Sequence, residues 1–321
     1  MAGFRRFAVA LTFATSLSAQ QPEIGSPPGR LYDVGGGRRL HLVCTGTQSP
    51  TVVIEAGASS FAIDFTLAQQ QLSRTARVCA YDRAGHGWSD PAPSSHNIAG
   101  DLNTLLRAAG ERPPFVLVGA SMGGLYVRTY TATFPDQVAG VVLIDPSSEE
   151  RLFTVYNGEG VAIAELTAEQ YRSTIPPGSV NVPRRAPQTG APFDRLPREL
   201  YDLRVKLDQR LIAAIPSVIS YETRVAGAEA ERARLASLRE LTSKNPQPLG
   251  DRPLVVLSRG VNASSEMVEV HRNIAKLSTN SRHSVIAGAG HEIHLFEPGA
   301  VVQAVMDVVE AVRNKTRLIA R

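Results

Sequence analysis

Apolar residues along the chain fall into short aliphatic runs separated by longer stretches in which apolar and polar positions alternate at helical spacing. Residues 51–57, 77–82, 115–118, 138–144, 253–258 and 283–287 read as strands, too short and too continuously apolar to sit at a surface. Between them, 61–73, 98–109, a segment running to about 134, 265–277 and 301–314 read as helices, with Leu102, Leu105 and Leu106 on one side of the second. Residues 31–34 and 39–44 straddle Gly35, Gly36 and Gly37, a hairpin signal. Short apolar strands alternating with helices predict an α/β chain with a mostly parallel sheet covered on both faces.

From residue 147 to 250 the pattern changes. The segment is rich in Arg, Glu, Pro and Gly, and its periodic stretches near 167–173, 196–214 and 220–242 predict helices, with no strand of the sheet type. The chain then returns to apolar strands, so the segment is expected to be a mainly helical insertion over the carboxyl ends of the strands, rather than a separate small domain. No internal repeat is visible.

The first residues change the picture of where the protein works. Arg5 and Arg6 precede an apolar run over 7–17, and Ser16 and Ser18 meet the small-x-small rule of a cleavage site, so 1–19 reads as a secretory signal peptide. That run is short for a bilayer span and no later one is long enough, so stable membrane insertion is not expected. Export to a periplasmic or extracellular compartment follows. The formal charge of +4 includes Arg5 and Arg6, and what remains, without a dense Lys/Arg run, makes no case for nucleic acid. Cys44 and Cys79 are the 2 cysteines, an even count that an oxidising compartment allows to pair.

Candidate chemistry centres on residues 115–124. Four apolar residues run into Gly119-Ala120-Ser121-Met122-Gly123-Gly124, after which a helical pattern resumes. That is a strand, a tight turn and a helix with Ser121 at the tip, where close backbones demand glycine at 119 and 123. A serine hydroxyl needs a base, and the base needs an orienting carboxylate. Among 7 histidines, His291 follows the last strand in a Gly288-Ala289-Gly290 loop at the carboxyl edge that bears Ser121, with His294 a rival in the same loop. His86 lies in the glycine-rich loop opened by Asp82 and Arg83, whose polar residues can tie that loop down. His41, His271 and His283 fall within predicted strands or a helix and read as structural, and His96 as a surface or helix-capping residue. For the acid, Asp145 ends its strand, whereas the loop after Ser258 contains no Asp and offers Glu266 as the alternative. Backbone N–H groups of Ala58 and Met122 are the candidate oxyanion donors. No metal site is expected, since His291-Glu292-Ile293-His294 lacks the spacing of a zinc helix, and the glycines at 35–37 fit neither nucleotide fingerprint, so no cofactor is expected.

Glu55-Ala56-Gly57, Tyr81-Asp82-Arg83-Ala84-Gly85-His86-Gly87-Trp88-Ser89-Asp90, the Ser121 motif, and Gly290-His291 followed by Glu297-Pro298 together resemble the alpha/beta-hydrolase superfamily, in its esterase-like serine hydrolase branch. The resemblance implies an alpha/beta-hydrolase fold with its core at 28–146 and 251–316 and a helical cap at 147–250, inserted after the sixth strand. It implies Ser121 as nucleophile and His291 as base, and it sets the strands of Cys44 and Cys79 side by side. The family's usual His-Gly oxyanion motif is here Glu55-Ala56-Gly57. Relatives with their acid after the sixth strand favour Asp145 over Glu266. The expected activity is that of an exported serine carboxylesterase acting on a small-molecule acyl ester. An amide or peptide hydrolase of aminopeptidase type, or an inactive binding protein on the same scaffold, are the alternatives. Oligomeric state is left open.

Overall fold

A computed structural model describes residues 24–92 and 96–319. The expected signal peptide at 1–19 lies outside the described residues. In chain order the first half of the core comprises β1 (Arg30–Gly35), β2 (Arg38–Thr45), β3 (Thr51–Glu55), α1 (Thr66–Leu72), β4 (Arg77–Tyr81), α2 (Ile98–Ala108), β5 (Phe115–Ala120), α3 (Met122–Thr133) and β6 (Val138–Ile144). The inserted segment holds β7 (Phe153–Tyr156), β8 (Glu159–Ala162), α4 (Ala168–Ser173), β9 (Val180–Asn181), α5 (Arg198–Ala214), β10 (Val218–Ile219) and α6 (Tyr221–Lys244). The core resumes with β11 (Leu254–Arg259), α7 (Ser265–Ala275), β12 (Ser281–Ile286), α8 (Ile293–Phe296) and α9 (Pro298–Asn314).

Eight strands form one sheet in the order β1-β2-β4-β3-β5-β6-β11-β12. The expected hairpin pairs β1 with β2, and β2 runs antiparallel to β4 as well, while every other pairing is parallel. Successive side chains on a strand point to opposite faces. Val52, Ile54, Val116 and Val118 accordingly pack on the side of α1 and α9, and Val53, Leu117, Val141 and Leu143 on the side of α2 and α3. The chain leaves β3 toward β4 on one side, then crosses back so that β5 lies against β3 on the other. A crevice opens beyond the carboxyl ends of strands at such a reversal, which is where ligands bind in open parallel sheets.

Cys44 and Cys79 are facing partners on β2 and β4 and form a disulfide. Among the described residues, the cluster of metal-ligand types is these two sulfurs with Glu111, and it is already used: the sulfurs bond each other, and Glu111 takes the Arg77 guanidinium at 2.6 Å. The cross-link closes a sequence separation of 35 residues. Chain entropy alone then predicts that a Cys44→Ala/Cys79→Ala variant loses about 4 kcal/mol of stability, read as a lower urea midpoint with an unchanged core fold.

The inserted segment adds no strand to the main sheet. Its pairings are two short antiparallel pairs of its own, β7 with β8 and β9 with β10. The first turns through Asn157 (φ 54°) and Gly158 (φ 83°), a left-handed pair that matches the twist of a two-residue hairpin. The segment is fixed to the core at several points. Leu125 of α3 packs with Ile163, Leu235 and Leu238. Arg128 of α3 binds Glu149 through two bonds of 2.6 Å, both side chains nearly dry. Arg204 of α5 is fully buried, with its guanidinium 3.6 Å from the centre of the Phe193 ring and 3.2 Å from Asp64. Burial raises the Asp64 carboxyl to about 6 even against that cation.

Candidate active site

Ser121 sits between β5 and α3 with φ 52° and ψ −123°, outside the regions a non-glycine residue adopts at ease. The strain is held from both sides: its N–H donates to the Ile144 carbonyl at 2.9 Å, and its carbonyl accepts from Gly124 N at 2.9 Å and Ser147 N at 3.0 Å. A Cβ at Gly119 would fall 2.6 Å from the Gly123 carbonyl oxygen, and one at Gly123 would fall 2.3 Å from that of Glu55. These two glycines are therefore what allows α3 to start so close to β5 and β3.

His291 follows β12. Its Nε2 lies 3.0 Å from Ser121 Oγ, and its Nδ1 lies 2.5 Å from Asp145 Oδ2. A carboxylate only accepts, so Nδ1 carries the proton and Nε2 is left to accept from the serine hydroxyl. Asp145 follows β6 in a left-handed conformation (φ 42°), its N–H on Leu257 O at 2.7 Å. Arg259 N–H donates to Oδ1 at 3.0 Å, and Arg259 Nε lies 3.1 Å from Oδ2. Burial pushes the Asp145 carboxyl up, but the bonds from His291 and Arg259 more than offset it and leave it below the ordinary aspartate range. Asp145 is thus an anion whose two oxygens are both committed. A cavity of about 320 Å³ adjoins this pair, lined by His291, Asp145, Arg151, Arg259 and Met267.

The alternatives fall elsewhere. Glu266 sits exposed in the first turn of α7, paired with Arg151 at 2.6 Å. His294 is buried and stacked on Phe65 with ring centres 4.1 Å apart, and burial, then His291 and Arg204, hold its imidazole down to about 3. It therefore stays neutral at any working pH, with no hydrogen-bond partner for either nitrogen among the described residues. His96 flanks α2, but the cap of that helix is Asn97, which accepts from Gly100 N. His41 is buried against Asp82 at 2.7 Å.

The loop after β3 passes beside the serine: a Cβ on Gly57 would lie 3.4 Å from Ser121 Cβ. Arg83 clamps this loop, with Nη1 on Glu55 at 2.7 Å and on the Ala56 carbonyl at 2.6 Å, and Nη2 on the Gly57 carbonyl at 2.5 Å. The Gly57 carbonyl and the Ala58 N–H belong to one trans peptide and point in opposite directions, so holding the first aims the second. Tyr81 O–H donates to the other oxygen of Glu55, and His86 Nε2 holds the Ala58 carbonyl at 2.8 Å. Met122 opens α3, where first-turn N–H groups have no partner within the helix and the helix dipole favours negative charge. Sequence reasoning saw Asp82 and Arg83 as bracing for their own loop and missed that Arg83 reaches Glu55 and Gly57. The one available signal was Glu55, an acidic residue ending an otherwise uncharged, fully buried strand. Chemically the arrangement can draw the Ser121 proton to His291, with the N–H groups of Ala58 and Met122 as the candidate donors to an oxyanion.

The profile of the alpha/beta hydrolase fold family matches residues 50–298. The chain is 34% identical over 159 residues to an uncharacterized protein of Schizosaccharomyces pombe, a match covering 40% of this chain and 30% of that protein. It is 26% identical over 311 residues to the sn-1-specific diacylglycerol lipase ABHD11 of Mus musculus, covering 94% and 92% of the two chains. A thermophilic esterase from Thermogutta terrifontis shares the fold with a TM-score of 0.58 at 22% identity, over 88% of this chain and 97% of that one. The family profile covers most of the chain, including every residue of the site, and on that ground the chain is a member of the alpha/beta hydrolase fold family.

Proposed function

We propose that the protein is an exported serine hydrolase that cleaves small-molecule carboxylic esters through an acyl-enzyme at Ser121. The observation that carries this reading is the uninterrupted chain of bonds from Ser121 Oγ through His291 to Asp145. Ser121 attacks the ester carbonyl as His291 takes its proton, the Ala58 and Met122 N–H groups receive the oxyanion, and His291 returns the proton to the departing alcohol. Water repeats the sequence on the acyl-enzyme. Esters are favoured over amides by the kinds of protein the chain resembles, a lipase among its relatives and an esterase among its fold neighbours. The segment 147–250 serves as the cap that bounds the substrate space. Export is supported by the leader pattern in the sequence and by the disulfide, and no helix among the described residues is long and apolar enough to cross a membrane.

A fluorophosphonate applied to the purified protein is expected to attach once, to the peptide bearing Ser121. Folded protein that stays unlabelled would count against the reading. If Arg83 aims the Ala58 donor, Arg83→Met lowers kcat by about a hundredfold, the cost of losing one oxyanion donor, with KM little changed. Steady-state kinetics on a soluble ester measure both.

A further inference from the structure

Behind Asp145, two buried polar side chains and a half-buried third, from three different elements, form a hydrogen-bonded chain that the reaction as described does not use. His271 of α7 places Nε2 2.8 Å from the Pro146 carbonyl and Nδ1 2.7 Å from Ser258 Oγ. Ser258 of β11 is in turn 2.7 Å from Nε2 of His283 on β12. With both rings neutral, the chemistry of the groups fixes every proton. The Pro146 carbonyl can only accept, so His271 Nε2 donates, and a neutral His271 then has Nδ1 as an acceptor. The Ser258 hydroxyl must give its proton to that Nδ1, and its lone pair takes the N–H of His283. No other assignment with neutral rings satisfies all three contacts.

The end of this chain lies at the candidate acid. Pro146 directly follows Asp145, whose left-handed backbone is strained and persists only if neighbours over-determine it. The Asp145 N–H is held by Leu257 and the next carbonyl by His271, so the strained residue is gripped on both sides. His271 Nδ1 is also 3.9 Å from Asp145 Oδ1, the oxygen held by the Arg259 N–H, and Arg259 follows Ser258 on the same strand. Ser258 is fully buried and His271 nearly so.

We propose that His271, held in one tautomer by Ser258 and His283, is a positioning residue that sets the backbone and carboxylate of Asp145 against His291. The proposal rests on the serine hydrolase reading of the site. Burial keeps His271 toward its neutral form, with Arg259 and His291 acting in the same direction and Asp145 and the bond to the Pro146 carbonyl against it. His283 faces His271, Arg272 and Glu269, and burial lowers it too. Protonating His271 would turn Nδ1 into a donor, forcing the Ser258 hydroxyl to turn its proton toward His283 and that ring to change tautomer, and would put a second cation beside Asp145.

Three variants and one spectrum test this. His271→Leu is expected to lower kcat by on the order of tenfold through misplacement of the triad, with KM unchanged. His271→Gln, whose amide N–H can reach the Pro146 carbonyl, recovers most of the loss. Ser258→Ala leaves the Pro146 bond in place but removes the hydroxyl whose proton occupies His271 Nδ1, making protonation there easier, so the acidic limb of its kcat/KM profile moves to higher pH. In wild type the His291 Nδ1 proton gives a downfield NMR signal, identified by its loss in His291→Ala. His271→Leu shifts that signal and Ser121→Ala leaves it present. A folded His271→Leu with wild-type kcat, pH profile and downfield signal overturns the proposal, as does a Gln variant no better than Leu. Turnover retained in Ser121→Ala would remove the serine reading instead, and the downfield signal would still decide whether His271 positions Asp145.

Discussion

Ser121→Ala is expected to reduce ester turnover by on the order of 10⁶, the scale of loss when the nucleophile of such a unit is removed. The fold should survive. Alanine keeps the Cβ, and the contacts that hold residue 121 are backbone bonds to Ile144, Gly124 and Ser147, none of which needs the hydroxyl. The residual rate should still exceed that in water, because the proposed oxyanion donors, the Ala58 and Met122 N–H groups, are left in place. Steady-state assays on one soluble ester at high enzyme concentration, with a melting curve beside them, separate lost chemistry from lost folding. A variant that keeps a tenth of the wild-type rate would not fit a serine acyl-enzyme.

Asp145→Asn carries the second largest effect, a fall in kcat of about 10⁴. An asparagine amide can present N–H to His291 Nδ1, which would leave the proton on Nε2, the nitrogen that has to accept from Ser121. Glu266→Gln should leave kcat unchanged, since Glu266 is exposed and bound to Arg151. The comparison belongs at neutral pH. The Asp145 carboxyl lies below its ordinary range in the folded protein, so ionised Asp145 adds stability above the unfolded-state value, and that stability is lost as pH falls through the lower folded one. Acid conditions would therefore mix a stability effect into the catalytic one. A pair of rates in the opposite order would move the acid to the loop after β11.

The parts of this molecule that could be read from sequence are those whose physics is local. The Ser121 turn is written in Gly119 and Gly123 because the backbones of β3, β5 and α3 crowd there within a few residues of one another. The strands at 51–57, 115–118 and 138–144 are written in aliphatic runs, since a strand covered on both faces has no polar side to show. The Asn157-Gly158 hairpin was equally local, and its turn signal went unread among the charged residues of the inserted segment. What could not be read depends on topology. Glu55, Tyr81 and Arg83 meet because β3 and β4 are neighbours, and no spacing along the chain says that Arg83 faces the Gly57 carbonyl rather than its own loop. His271 and His283 looked structural for a sound reason, lying within a helix and a strand. Only the side-by-side placement of β11 and β12, with α7 packed on them, turns Ser258 into the link between them.

The most direct test of the central claim is the mass of the protein caught in the act. Wild type mixed with a slowly deacylating ester, quenched in acid during turnover and digested, should carry the acyl increment on the peptide containing Ser121, and Ser121→Ala should carry none. Turnover with no covalent adduct, or an adduct on another residue, would contradict a mechanism through Ser121.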